Sequence, residues 1–417
     1  MTDSCNIEHM KKMLEKYAEV LIQKGVNLQE NQELVIDSDI ENYAFVRILV
    51  DVAYKHGAKN VIVQYSDEVV DHKMYEYLSL DELQNIPPHI IALREQYALS
   101  HAAILSLTSE DPDGFKDIDP KKVATYHKAM HLSCPTFYDH LDLGIDRWCI
   151  AAASSFSWAK KVYPSLNKEE AVNKLWEDIF KVCFIDTSDP LLSFDQHRRS
   201  FEDRVKILNE SHIRSLHYTN SLGTNLTIGT LDDYLFAGGG SYTTDGLYSF
   251  PNIPTYEIFS SPNKYKVDGI VYNSLPLNYN GLIIDHFYIE FKEGRIVEYH
   301  ADVGEEVLKE IIESDEGSHY LGEMALVPYS SPINQLNTLF YNTLLDENAS
   351  CHLAIGKGFC ECVKDGYTLD KQGLLEKGIN DSSVHVDFMI GTQDLNITAT
   401  LENGKSMVIF NKGEFTF

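Results

Sequence analysis

"ELVIDSDIENYAFVRILVDVAYKHGAKNVIVQYS", residues 33–66, is the stretch whose reading decides the fold. Its first seven residues read as a buried strand, because apolar and β-branched side chains run together. "NYAFVRILVDVAYKHGAKN" follows as an amphipathic helix closed by His56-Gly57. "NVIVQYS" is a second strand. A helix between two buried strands implies a parallel βαβ unit.

The same pattern extends outward. Ile7, Met10, Leu14, Tyr17 and Leu21 fall on one stripe of a helix, stopped by Gly25. "HAAILSLTSE" and "RWCIAAASS" read as a third and a fourth strand. The first 195 residues are therefore expected to form an α/β domain with a largely parallel sheet. "DTSDPLLSFDQHRRSFEDRVKILNE" reads as one long helical region.

After it the period changes. "LHYTNSLGTNLTIGT" alternates polar and apolar residues, "HFYIEFKEGRIVEYH" carries a Glu-Gly turn, and "NITATLENGKSMVIF" carries Asn403-Gly404, a strong hairpin signal. Residues 196–417 are expected to form an α+β domain around an antiparallel sheet. Two Gly-rich stretches, "FAGGGSYT" and the "GKG" at 356–358, lack the context of a phosphate cradle and are expected to be loops.

Composition limits the partners. The chain has 417 residues, enough for two cores, and a formal net charge of −28. Nucleic acid is not an expected partner, because phosphate binding needs clustered Lys and Arg. The seven cysteines include no CxxC pair, which argues against a zinc ribbon and a disulfide framework. Reduced thiols and a cytoplasmic location are expected. No signal peptide is visible, and no run approaches the roughly 20 apolar residues of a membrane span.

Four segments of the second half carry chemistry. They are "FPNIPTYEIFSSPNK" with Glu257, "YLGEMALVP" with Glu323, "LLDENASCHLAIGKGF" with Glu347 and His352, and "VHVDFMIG" with His385 and Asp387. Residues two apart on a strand share a face, so His385 and Asp387 project together. Val384, Phe388, Met389 and Ile390 suggest that this strand is central and buried. A buried carboxylate needs a cation or several donors, so the pair is either a metal site or a hydrogen-bonded core pair. Glu323 and Glu257, each taken alone, also have bland readings, as a helix-terminus or surface acid and a loop acid. Together, the six side chains are ligands for hard or borderline divalent ions, and they are enough for two.

These segments, in this order, resemble those of the aminopeptidase T / aminopeptidase S (PepS) family of metal-dependent aminopeptidases. "LEKYAEVLIQKGVNLQENQELVI", "SWAKKVYPSL" and "DPLLSFDQH" extend the resemblance over nearly the whole chain. It implies metal ligands at Glu257, Glu323, Glu347, His352, His385 and Asp387, with Glu347 the least secure. It implies two divalent ions (zinc, cobalt or magnesium), short peptide substrates and a homodimer with enclosed active sites.

Three positions depart from the family pattern. Tyr256 stands where Pro-Thr-Glu-Glu has its first Glu, Phe359 replaces a Tyr, and Asp381 replaces the Arg of Asn-Arg-Ser. A lost general base is worth roughly 10²–10⁴-fold in rate. A lost oxyanion donor is worth roughly 10²–10³-fold. Three readings stay open beside one another: an active aminopeptidase, a metal-binding relative with weak or lost peptidase activity, and a hydrolase of amine-bearing small molecules. A pure binding module, with the Glu and HxD segments as core pairs, is the reading outside enzymology.

Overall fold

The computed structural model describes residues 2–279 and 282–417, without the side chains of the first seven, Cys5 and Ile7 among them. It forms two compact units. The first comprises Met1–Gln196 and Gly240–Pro254, the second His197–Gly239 and Thr255–Phe417.

The first unit is built on a parallel sheet. Strands β1 (Glu33–Asp39), β2 (Asn60–Ser66), β3 (Ala103–Thr108) and β4 (Trp148–Ala152) pair in the order β4-β3-β1-β2. Leu34, Val35 and Ile36 of β1 are fully buried, because helices on both faces of a parallel sheet leave no wet side. The helix Tyr43–Lys55 joins β1 to β2, as the opening stretch predicts. A two-residue strand, Asn252–Ile253, adds to β4 in parallel. The first helix runs Thr2–Val20 and then widens into a π-turn, Leu21–Gly25, rather than stopping at the glycine. Met13, Tyr17 and Leu21 form its buried side, while Met10 and Leu14 stay partly exposed. Tyr17 stacks on Phe45 at 5.5 Å, and its hydroxyl donates to the Ala152 carbonyl at 3.0 Å.

The second unit holds two antiparallel sheets. The larger contains the two hairpins predicted at the Glu-Gly and Asn-Gly turns, Leu282–Lys292 with Arg295–Val303 and Asn396–Leu401 with Ser406–Asn411, and the alternating stretch pairs as a further one, Ile213–Thr219 with Asn225–Thr230. The smaller has the order His385–Met389, His352–Gly356, Leu321–Leu326, Ile258–Ser260, Ala237–Gly238. One core lies between them. Ile228, Val267 and Ile289 of the larger sheet join Met324, Leu353, Val386 and Phe388 of the smaller. Alternation then turns Glu323, His352, His385 and Asp387 to the opposite face. The Gly-rich stretches are not wholly loops: Ala237–Gly238 and Ser241–Tyr242 form two-residue strands, and Gly356 ends a strand.

The strand Leu321–Leu326 breaks its own alternation. Leu321 pairs with Ile355, yet Glu323 pairs with Ala354, so a bulge intervenes. Without it, Leu321 and Glu323 would share a face, since they are two apart. The bulge lets Leu321 enter the core while Glu323 leaves it. Only glycine fits at the bulge, because a Cβ on Gly322 would lie 2.2 Å from the Lys357 carbonyl oxygen.

Candidate metal centre

The smaller sheet positions the site through its register. Glu323, Ala354 and Asp387 form one row across three neighbouring strands. His352 pairs with Ala325 and Met389 two rows along, on the same face, and His385 pairs with Gly356. On the middle strand Ala354 stands between Glu323 and Asp387, and Gly356 beside His385, so that strand adds little side-chain volume there. The His385 strand is at the edge of its sheet, not at its centre as its flanking apolar residues suggest. Val386 and Phe388 are buried because the larger sheet covers one face of that edge.

Both histidines are aimed by the backbone. His352 Nδ1 lies 3.0 Å from the Ser350 carbonyl, and His385 Nδ1 lies 2.7 Å from the Lys357 carbonyl. A carbonyl can only accept, so each Nδ1 carries a proton and each Nε2 is the nitrogen turned toward the carboxylates, the one that could ligate a metal. His352 Nε2 is 3.2 Å from Glu257 Oε2 and 3.9 Å from Glu323 Oε1. His385 Nε2 is 3.1 Å from Glu323 Oε2 and 3.3 Å from Asp387 Oδ1. Two groups result, Glu257-Glu323-His352 and Glu323-His385-Asp387, each with ligand atoms within 4.8 Å of one another. Glu323 belongs to both.

Glu347 stands outside these groups but faces their charge. Burial first, then the Glu257 and Asp387 carboxylates, push its carboxyl well above the usual range. Its neighbour Asp346 is structural: it accepts from Phe340 N at 2.8 Å and Asn342 N at 3.0 Å. Burial raises Glu323 to about 7, with Asp387 and Glu257 adding to the shift and His385 opposing it. Burial would depress His352 and His385, but the surrounding carboxylates outweigh it and raise both.

Asn348 ties two segments together. Its Oδ1 accepts from Tyr256 N at 2.6 Å and its Nδ2 donates to Leu344 O at 3.0 Å. No local pattern singles it out, and its role shows only in the fold, where the amide is fully buried and hydrogen-bonded. His197 supports the same loop, with Nε2 2.7 Å from the Thr255 carbonyl and its ring 5.1 Å from Tyr256. Burial lowers His197 to about 4. Phe359 lies against the site, its ring 4.9 Å from that of His385. Asp381 faces Lys371 instead, at 2.6 Å.

The residues fit divalent metal. Asp387 Oδ1 is buried and accepts no hydrogen bond, its 3.3 Å approach to His385 being an ion-pair distance only. Among the described residues, no Lys or Arg forms an ion pair with Glu257, Glu323 or Asp387. Buried carboxylates without fixed cations, interleaved with imidazole lone pairs, are a donor set for such ions.

The two-sheet unit carries a donor set for divalent metal, and the other unit is a parallel α/β sheet with its helices. The sequence profile described as thermophilic metalloprotease (M29) matches residues 10–415. The chain is 41% identical to aminopeptidase AmpS of Bacillus subtilis (strain 168), covering 97% of this chain and 98% of that protein. It is 38% identical to aminopeptidase 2 of Geobacillus stearothermophilus, over 97% and 98% of the two chains. The structure of wild-type AmpT from Thermus thermophilus superposes with a TM-score of 0.91 at 32% identity, covering 98% of this chain and 100% of that one. The chain belongs to the M29 family of metallo-aminopeptidases.

Proposed function

We propose that this metallo-aminopeptidase removes single N-terminal residues from short peptides at a dinuclear centre. The observation that carries the reading is Glu323, whose two oxygens face different histidines, Oε1 toward His352 and Oε2 toward His385. A carboxylate so placed suits a bridge, with Glu257 and His352 on one side and His385 and Asp387 on the other. Zinc, cobalt or magnesium bound there would activate water and polarise the scissile carbonyl. The two backbone carbonyls hold the imidazoles in the ligating tautomer. Glu347 is the carboxyl left over, raised by burial and by the charge of Glu257 and Asp387, and it would carry a proton between water and the departing amine. A homodimer in the cytoplasm is the expected setting, and the described cysteines, which form no disulfide with one another, are compatible with it.

A second reading, weak or lost peptidase activity, is favoured by Tyr256 and Phe359. Neither side chain supplies the acid or the hydroxyl of the family pattern, and Phe359 lies against His385. One experiment tests both. Chelator-treated protein is reloaded with zinc, cobalt or magnesium and assayed on aminoacyl-p-nitroanilides and di- to pentapeptides beside His352→Ala. Turnover that requires metal and His352 supports the first reading. Full metal occupancy without turnover supports the second. Occupancy by one ion per centre would remove the dinuclear assignment.

A further inference from the structure

His101, His140 and Asp146 meet in the first unit, at the amino ends of β3 and β4. The Asp146 side chain is 4% exposed, and its two oxygens are divided between two rings. Oδ1 lies 2.8 Å from His101 Nδ1, and Oδ2 lies 2.8 Å from His140 Nδ1. The rings stack with centroids 5.5 Å apart and planes 14° apart. No Lys or Arg among the described residues pairs with this carboxylate. The adjacent Arg147 is committed elsewhere, to Asp245 at 2.6 Å and Gln32 at 2.9 Å.

The backbone around the three residues is fixed. Ile145 N and Asp146 N both donate to the His140 carbonyl, at 2.8 and 3.1 Å. His101 N donates to Ala98 O at 3.0 Å, and Gln32 Nε2 donates to His101 O at 2.9 Å. His101 holds φ at +50°, a conformation uncommon for a residue with a side chain and retained where neighbours impose it. The ring itself is free to adjust, since its side chain is 65% exposed.

Two imidazoles on one buried carboxylate can simply shield its charge. The donor set can do more. One nitrogen of each ring and one carboxylate oxygen lie within 4.8 Å of one another. Ligand distances of about 2.0–2.2 Å bring two nitrogens to within about 4.2 Å of each other, so a small swing of the exposed His101 ring closes the site. The N₂O set selects zinc or a similar borderline ion over magnesium or calcium. Each neutral ring passes its Nδ1 proton to Nε2, so charge and protons balance without a co-reactant. His101 borders solvent, which leaves a fourth position for water.

We propose that His101, His140 and Asp146 bind one divalent transition ion, a staple between the starts of β3 and β4 separate from the centre on Glu323. The site is on the amino side of the parallel strands, away from the carboxyl ends where such sheets usually hold substrates, so its role is structural.

The test uses full-length protein stripped with chelator and equilibrated with micromolar free zinc, with bound metal counted by mass spectrometry. His101→Ala is expected to bind one zinc fewer per chain than wild type and to retain its circular dichroism. His352→Ala measures the other centre, so the two losses are separable. Zinc-soaked crystals should show an anomalous peak bounded by the three side chains, absent in His101→Ala. Equal zinc counts in wild type and His101→Ala, or no peak between the rings, would overturn the assignment.

Discussion

Glu323 and Asp387 stand in one cross-strand row, on the two strands that flank the His352 strand, with Ala354 directly between them. The smallest chiral side chain therefore lies between the two acids. Ala354→Leu would fill that space with apolar volume. Metal affinity should fall on the order of 10–100-fold, the loss typical of a disturbed ligand environment. Isothermal titration with zinc checks it, and unchanged affinity would mean that the row is not the floor of the centre.

Gly322 sets the phase of the Glu323 strand. Gly322→Ala would press a methyl against the Lys357 carbonyl, and overpacking of this kind costs roughly 1–3 kcal/mol. Urea unfolding should report that loss together with reduced metal content. A variant with wild-type midpoint and full occupancy would contradict the bulge argument.

Asn348 joins the Tyr256 backbone to the turn before Glu347. Asn348→Ala leaves the buried Tyr256 N–H without its partner, a loss of about 1–3 kcal/mol. The measurement is chemical denaturation of the metal-free and metal-loaded forms. We expect the deficit in both, and a larger one with metal bound.

Tyr256→Glu and Phe359→Tyr return the two side chains of the family pattern. If the native residues have weakened catalysis, the first should raise kcat/KM by up to roughly 10²–10⁴-fold. The second should raise it by up to roughly 10²–10³-fold. Stopped assays at saturating metal distinguish this from unchanged rates, which would show both positions to be neutral.

Asp315 clamps the segment leading into His385, accepting from Ser382 Oγ at 2.8 Å and Ser383 N at 2.6 Å. Burial opposes its ionisation, but hydrogen bonds from Ser383, Ser382 and Ser318 outweigh it and hold the carboxyl at about 2. A folded-state value below the unfolded one, about 3.9, gives stability that is complete above the unfolded pKa. It is lost as pH falls toward about 2. Asp315→Asn should therefore lower the melting temperature at pH 7, and the gap from wild type should narrow between pH 4 and 2. A gap that stays constant with pH would remove the carboxylate's charge from the account.

Much of this was legible in the sequence because it is written in local period. β1 and its helix follow from apolar runs and 3.6-residue spacing, and the hairpins follow from Glu-Gly and Asn-Gly turns. Asp387 was legible because a carboxylate in an apolar strand needs a reason, whereas Glu257, Glu323 and Glu347 stood out only through the set of four segments and their resemblance to a known family. Long-range pairing left no such trace. Ala354 gains its meaning only from the strands on either side, and the bulge at Gly322 only from its partner's register. The edge position of the His385 strand was hidden because cover from the second sheet makes an edge look central. His101 and Asp146 meet because two parallel strands start side by side, which no local pattern encodes.

The alternation of the smaller sheet has a consequence for how such chains can change over time. Point replacements on the open face can alter chemistry while Leu353, Val386 and Phe388 keep the molecule folded. Length changes have no such freedom. Loss of the single residue Val386 would leave every acid and histidine in the gene product, yet it would set His385 and Asp387 on opposite faces of their strand and turn one of them toward the core. Lineages of this enzyme should therefore tolerate substitution within these strands far more readily than insertion or deletion, with gaps confined to the connections between them.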